Sequence, residues 1–244
     1  MADDLFEHPR LAAVYDALDP NRSDLDTYAA IVTELGAQRV LDVGCGTGTL
    51  ALMLSERGFD VVGLDPAGAS LDVARGKPGA ERVRWVHGDA TALPDDLEGR
   101  VDLAVMTGNV AQAIVDEQDW ARTLTAIRHC LRPGGHLVFE TRRPARRGWE
   151  EWTREQSQTV TEVPGYGSIR HWVQLTEMNL PLVRFESVRV FGDQTLTSTS
   201  TLRFRSEDET AASLAASGYD VREVREAPDR PGREMVFVAQ RAAG

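Results

Sequence analysis

The sequence predicts an α/β fold: a parallel sheet with helices on both faces and an antiparallel meander set into its later part. Three observations carry this prediction. Between residues 39 and 141, short apolar runs alternate with helical stretches, the pattern of strands buried on both faces. The first run passes directly into a turn with glycine at alternate positions, Gly44, Gly46 and Gly48. From about residue 150 to residue 205 the pattern changes to β-rich segments divided by turn residues.

Each element can be justified in order. Ser23 precedes a stretch in which Leu25, Tyr28, Val32 and Leu35 share one helical face, and Gly36 is a stop signal. Residues 39–43 form the first apolar strand. The second, third, fourth and fifth follow at residues 60–64, 83–87, 101–106 and 136–141. Helical patterns fill residues 49–57, 67–75 and 119–131; in the last, Trp120, Leu124, Ile127 and Leu131 recur at helical spacing. The meander has turns at Pro164-Gly165, Asn179 to Pro181 and Gly192-Asp193. Ser206 with Glu209 forms a capping-box pair that opens a helix to about Ala216, and Gly218 ends it. Residues 219–224 and 234–239 read as two closing strands. The whole of 1–244 is expected to be a single domain, with 150–205 as an inserted β-rich lid or substrate subdomain.

Composition bounds the function. Apolar residues make up 42% of 244, enough for a full core. With 27 basic and 38 acidic residues the net charge is −11, which repels phosphate backbones and makes nucleic acid a poor partner. Cys45 and Cys130 are spaced for neither a disulfide framework nor a metal site, and no metal is expected. The opening MADDLFEHPR lacks a signal peptide's apolar stretch, and no apolar run reaches the ~18 residues of a membrane span. The expectation is a reduced, cytoplasmic chain without membrane association, either a monomer or a homodimer.

The chemistry lies in Val40-Leu41-Asp42-Val43-Gly44-Cys45-Gly46-Thr47-Gly48. Glycine permits the sharp turn and close ligand approach, and in a doubly wound sheet this turn falls at the carboxyl edge, where ligands bind. The spacing is GxGxG rather than the GxGxxG of dinucleotide pyrophosphate sites. Asp65, followed by Pro66, ends the second strand, where a carboxylate can accept from both hydroxyls of a ribose. Gly88-Asp89-Ala90 ends the third, where side-chain and backbone groups can read an adenine. Thr107-Gly108-Asn109 ends the fourth. The fold would bring all four turns together.

These motifs resemble those of the class I S-adenosylmethionine-dependent methyltransferases. The 40–48 run is similar to that family's motif I, Asp65 to its ribose-binding acid, Asp89 with Ala90 to its adenine contact, and Leu131-Arg132-Pro133-Gly134-Gly135 to the turn before its fifth strand. The resemblance covers roughly residues 15–141. It implies a Rossmann-like seven-stranded methyltransferase sheet of order 3-2-1-4-5-7-6, with strand 7 antiparallel. S-adenosyl-L-methionine is the implied cofactor, with Gly44, Cys45 and Gly46 along its methionine part, Thr107 nearby, and Tyr15 closing over it. Cys45 reads as a small residue facing the ligand rather than a nucleophile.

The acceptor side has no motif. Methyl transfer needs in-line placement, exclusion of water and sometimes a base, so a missing catalytic signature does not argue against an enzyme. The Asn/Asp-Pro-Pro-Tyr/Phe motif for planar amino groups is absent at 107–110. Arg142, Arg143, Arg146 and Arg147 follow the fifth strand, and arginine forks bind carboxylate or phosphate. Arg142 and Arg143 are therefore candidate contacts to an acidic small-molecule acceptor, as are Trp149 and Tyr166 in the insertion, and the alternative is a solvated loop with a local aromatic core. His171 and Glu140 are candidate bases. The competing functions are a non-catalytic S-adenosylmethionine-binding protein and an NAD(P)-dependent oxidoreductase, the latter disfavoured by the glycine spacing.

Overall fold

The computed structural model describes residues 3–242. Two short helices open it, α1 (Asp4–Glu7) and α2 (Pro9–Leu18), followed by α3 (Asp24–Glu34). The alternating part then runs β1 (Arg39–Val43), α4 (Thr49–Glu56), β2 (Asp60–Asp65), α5 (Gly68–Arg75), β3 (Val83–His87), β4 (Val101–Met106), α6 (Val110–Ala113), α7 (Glu117–Cys130) and β5 (Leu131–Arg142). After α8 (Arg154–Ser157) comes the meander: β6 (Thr159–Val163), β7 (Gly167–Asn179), β8 (Leu182–Phe191) and β9 (Gln194–Arg203). The chain closes with α9 (Glu207–Ala216), β10 (Tyr219–Glu226) and β11 (Glu234–Arg241).

The main sheet has the order β10-β11-β5-β4-β1-β2-β3, with β11 antiparallel to both of its neighbours. Without the meander strands this is the predicted 3-2-1-4-5-7-6. Alternation along the strands sorts the core into two layers. Leu41, Val62, Ala104, Leu137 and Phe237 face α7 and α9, where Trp120 meets Phe139 edge-on and Phe139 stacks on Phe237. Val40, Val61, Leu103, Val138 and Val236 face α3 and α4. The meander forms a separate four-stranded sheet of order β6-β7-β8-β9. One end packs on α2 through Leu11, Val14, Val163, Ile169 and Phe191, and the other closes around Trp149, Val183, Leu202 and Phe204. Among the described residues no helix is long and apolar enough to cross a membrane.

Local signals were partly redirected by tertiary partners. Ser23 makes no side-chain cap on α3; its hydroxyl binds Asn21 instead. Asp116 caps α7 by accepting from the N–H groups of Gln118 and Asp119, so that helix starts two residues before the expected Asp119. Strand β5 begins at Leu131 rather than His136. Leu131 pairs with Val101, residues 132–135 bulge out, and pairing resumes at Leu103 with His136. The Ser206–Glu209 capping box forms as expected.

Candidate active site

The parallel strands β1 to β4 end on one edge of the sheet, and their following loops converge there. The glycine loop is fastened to β2: the Gly44 and Cys45 N–H groups both donate to the Leu64 carbonyl, at 2.7 and 3.0 Å. Asp65 organises the next layer. Its two carboxylate oxygens accept from the Gly46 and Ala67 N–H groups, each at 2.7 Å, leaving further lone pairs for a ligand. Burial raises its pKa, opposed by those two donors. Asp89 is held in the opposite direction. The Thr91 hydroxyl and N–H both donate to its Oδ1 and lower its pKa, so this carboxylate serves as a cap for its own turn while it faces the cleft.

The amino-terminal helices strap over this edge. Glu7 accepts from the Gly68 N–H at 2.8 Å, Ser70 donates to the Phe6 carbonyl at 2.9 Å, and the Leu5 N–H donates to Ser198 on β9 at 2.7 Å. Thr47 in the glycine loop donates to Asp16 at 2.6 Å, and Lys77 pairs with the same carboxylate at 2.6 Å. These contacts set Tyr15 against Phe6, with ring centroids 5.6 Å apart. The strap thus joins both sheets across the space between them.

That space is a cleft of about 1690 Å³. The expected cofactor-side residues Tyr15, Gly44, Cys45, Gly46, Asp65, Pro66, Asp89, Ala90 and Thr107 all line it, as do Arg142 and His171. Burial pushes the Cys45 thiol well above the usual range, so it is no nucleophile. Burial and the adjacent Arg189 hold His171 below the usual histidine pKa. Its Nε2 lies 2.9 Å from the Thr159 hydroxyl and 3.2 Å from that of Thr161. The Arg142 guanidinium, its pKa lowered by burial, reaches Gln112 at 3.1 Å and stands 3.9 Å from Glu234.

Three expected acceptor contacts and one candidate base lie elsewhere. Arg143 follows β5 and turns outward to Glu226 at 2.9 Å and Glu207 at 3.4 Å, because successive residues of an extended chain point to opposite sides. Trp149 is only 1% exposed and packs edge-on to Phe204, so the insertion's own core has claimed it. Tyr166 sits at the turn between β6 and β7, beside Phe191. Glu140 lies behind the cleft wall, where its Oε1 accepts the Asn109 N–H at 2.6 Å; it fixes the left-handed Asn109 turn instead of facing a ligand. Sequence reasoning missed the strap anchors Glu7 and Asp16 and the meander residues Ser187 and Arg189. The alternation of β8 would have put these last two on one face, but nothing in the chain says which face looks inward.

The family described as a methyltransferase domain matches residues 40–135. This segment is similar to that family. It carries the glycine loop and the strand ends from Asp65 to Thr107, whereas Tyr15, Arg142 and the whole meander lie outside it. A glycine/sarcosine N-methyltransferase of Halorhodospira halochloris is 32% identical over 123 residues, 50% of this chain and 46% of that protein. A demethylmenaquinone methyltransferase of Thermus thermophilus is 40% identical over 114 residues, 44% of this chain and 49% of that one. The matches span about half the length of these curated relatives. Likeness in fold extends further than likeness in sequence. An S-adenosylmethionine-dependent methyltransferase from Clostridium acetobutylicum superposes with a TM-score of 0.75 at 15% identity, covering 97% of this chain and 99% of its own. An amino pentose methyltransferase from Micromonospora echinaspora, solved with S-adenosylmethionine bound, gives 0.72 at 24% identity, covering 94% and 97%. The main sheet of this chain and its meander together therefore share one known architecture.

Proposed function

We propose that this protein transfers a methyl group from S-adenosylmethionine to a small-molecule acceptor held between the strand ends and the meander, and that residues 1–244 act as one unit with residues 150–205 as the acceptor wall. The observation that carries this reading is the continuous cleft, which runs from Asp65 and Asp89 past Gly44–Gly46 to His171. The residues present suit the cofactor. Asp65 offers a buried carboxylate with spare lone pairs to paired hydroxyls, Asp89 and Ala90 line the same cleft at the end of β3, and Gly46 leaves the loop open, since a Cβ built there meets nothing within 4 Å. When bound, the cofactor supplies an electrophilic methyl on a sulfonium sulfur. The names of the two relatives, which specify glycine/sarcosine and demethylmenaquinone, support a small acceptor, and Arg142 on the cleft wall supports an acidic one.

The chain's own residues orient the reactants and exclude water: the strap closes one side and the meander the other. His171, neutral near pH 7 because its pKa is lowered, can accept a proton from the acceptor directly or through the Thr159 hydroxyl. His171→Ala should lower kcat and remove an acidic limb centred below about pH 6.5 from the rate profile. An unchanged profile would take the base role away from it.

The cofactor reading is tested by calorimetric titration with S-adenosylmethionine, S-adenosylhomocysteine and NADH. Both adenosyl ligands should bind the wild type. Asp65→Ala should weaken them roughly tenfold to a hundredfold, the loss expected for charge-assisted hydrogen bonds. Binding of NADH alone would replace this reading with an oxidoreductase. Adenosyl binding without turnover across a broad panel of amines and acids would leave a binding protein.

A further inference from the structure

Six arginines line the cleft: Arg22, Arg122, Arg142, Arg184, Arg189 and Arg203. Five of them meet a carboxylate, at distances up to 3.9 Å. Arg189 does not. Among the described residues its guanidinium has a single partner, the Val188 carbonyl, 3.3 Å from Nη1. A guanidinium carries five N–H donors in a rigid fork, so most of this one is uncommitted. Burial depresses its pKa, as removal from water does for any cation. In a chain of net charge −11, with 38 acidic residues available, such an isolated half-buried cation is costly to hold and calls for a ligand.

Its place in the sheet says which ligand. Arg189 pairs across the meander with His171, and Ser187, two positions earlier on the same face of β8, pairs with Val173. All four line the cleft, and Ser187 is 2% exposed. The fork and a buried hydroxyl therefore share the wall opposite the glycine loop, beside the candidate base. The motif strands supply the other wall, including the carboxylates of Asp65 and Asp89, which would repel an anion from the cofactor's end.

We propose that Arg189, with Ser187, is the specificity site for an oxyanion carried by the methyl acceptor, a carboxylate or a phosphate, which the fork holds in two-pronged fashion so that the nucleophilic atom lies toward the cofactor and His171. This assignment rests on the methyltransferase reading above and adds an acceptor class to it. It also makes Arg142, which already contacts Gln112 and Glu234, secondary in anion recognition.

The test uses the full chain saturated with S-adenosylhomocysteine and titrates four probes: acetate and benzoate as carboxylates, inorganic phosphate and phenyl phosphate as phosphates. One pair is expected to bind saturably, and which pair does so names the anion. Arg189→Gln should weaken that binding roughly tenfold or more while Arg189→Lys retains part of it, since a point charge keeps attraction without the fork. Arg170→Gln removes the same charge from the outer face of the same strand pair, where its residue is exposed, and should leave probe binding unchanged. S-adenosylhomocysteine affinity should be the same in all four proteins. If the wild type fails to bind S-adenosylhomocysteine, the methyltransferase reading itself falls. If it binds, the oxyanion site is overturned by any of three results: no probe binds, Arg189→Gln and Arg170→Gln lose binding equally, or Arg189→Gln loses S-adenosylhomocysteine, which would make its ligand the cofactor's own carboxylate.

Discussion

Gly44→Ala is expected to lower the stability of the fold by about 3 kcal/mol and to abolish binding of S-adenosylhomocysteine. Gly44 has φ +74°, which costs a side-chain-bearing residue about 1–2 kcal/mol. A Cβ there would lie 2.5 Å from Cγ2 and 2.8 Å from Cγ1 of Val110. Valine is stiff at χ1 and cannot fold its methyls away, so α6 must shift, an overpacking cost of about 1–3 kcal/mol. The shift would also pull on the neighbouring Asn109 turn and on the Leu64 carbonyl that anchors the loop. Gly46→Ala is the informative partner. Its φ is +54°, yet an added Cβ meets nothing within 4 Å, so stability should fall by only about 1 kcal/mol. The methyl would instead occupy cleft space on the loop, and affinity should drop tenfold or more. Thermal unfolding with and without S-adenosylhomocysteine separates the two effects. A Gly46→Ala protein that is stabilised by the ligand as fully as the wild type would show that the loop is not the cofactor's cradle.

The contrast between those two glycines shows where sequence reasoning stops. The loop and its strand were legible because 3.6-residue and two-residue periodicities are local, and each apolar run fixed its own buried faces. The order of the sheet followed from strand–helix alternation plus a family resemblance. Which glycine touches Val110 was not legible, because that contact joins residues 66 positions apart (110 − 44) through the packing of α6. The acceptor wall was harder still. The runs at 159–203 declared themselves as strands, but both faces of β8 carry polar and apolar residues. Arg189 and Arg143 were therefore equivalent on paper, whereas in the fold one faces the cleft without a counter-ion and the other is paired outside. Trp149 failed as an acceptor contact for a related reason. A small second sheet needs its own core, and aromatics are the cheapest way to fill it. The strap was not read from the chain: Pro9 opens α2, and Leu11 and Val14 pack it on the meander, contacts that only the tertiary structure reveals.

The buried acids give the second large effect. Asp42 lies on β1 beneath the glycine loop with neither carboxylate oxygen hydrogen-bonded, and Glu140 on β5 leaves its Oε2 without a partner. Burial pushes both up to about 7, Asp42 being raised further by Asp65, while the Asn109 N–H and the neighbouring Tyr28 partly offset the rise at Glu140. Both folded pKa values lie above the unfolded ones, so between about pH 4 and 7 the native state binds more protons than the unfolded chain and stability falls as pH rises. The contribution is complete below about pH 4 and lost above about pH 7, and each group accounts for on the order of 4 kcal/mol across that window. Surface carboxylates held below their usual range by arginines, such as Asp96 by Arg84 and Glu223 by Arg225, act in the reverse sense, but only as the pH drops further into the acid range. Maximum stability should therefore lie near pH 5, on the acid side of neutrality. Asp42→Asn and Glu140→Gln replace each acid by a permanently neutral group of similar shape. Denaturant unfolding should find both variants more stable than the wild type at pH 8 and close to it at pH 5. A wild type whose stability rises steadily from pH 5 to pH 8 would mean that these carboxylates are ionised in the fold.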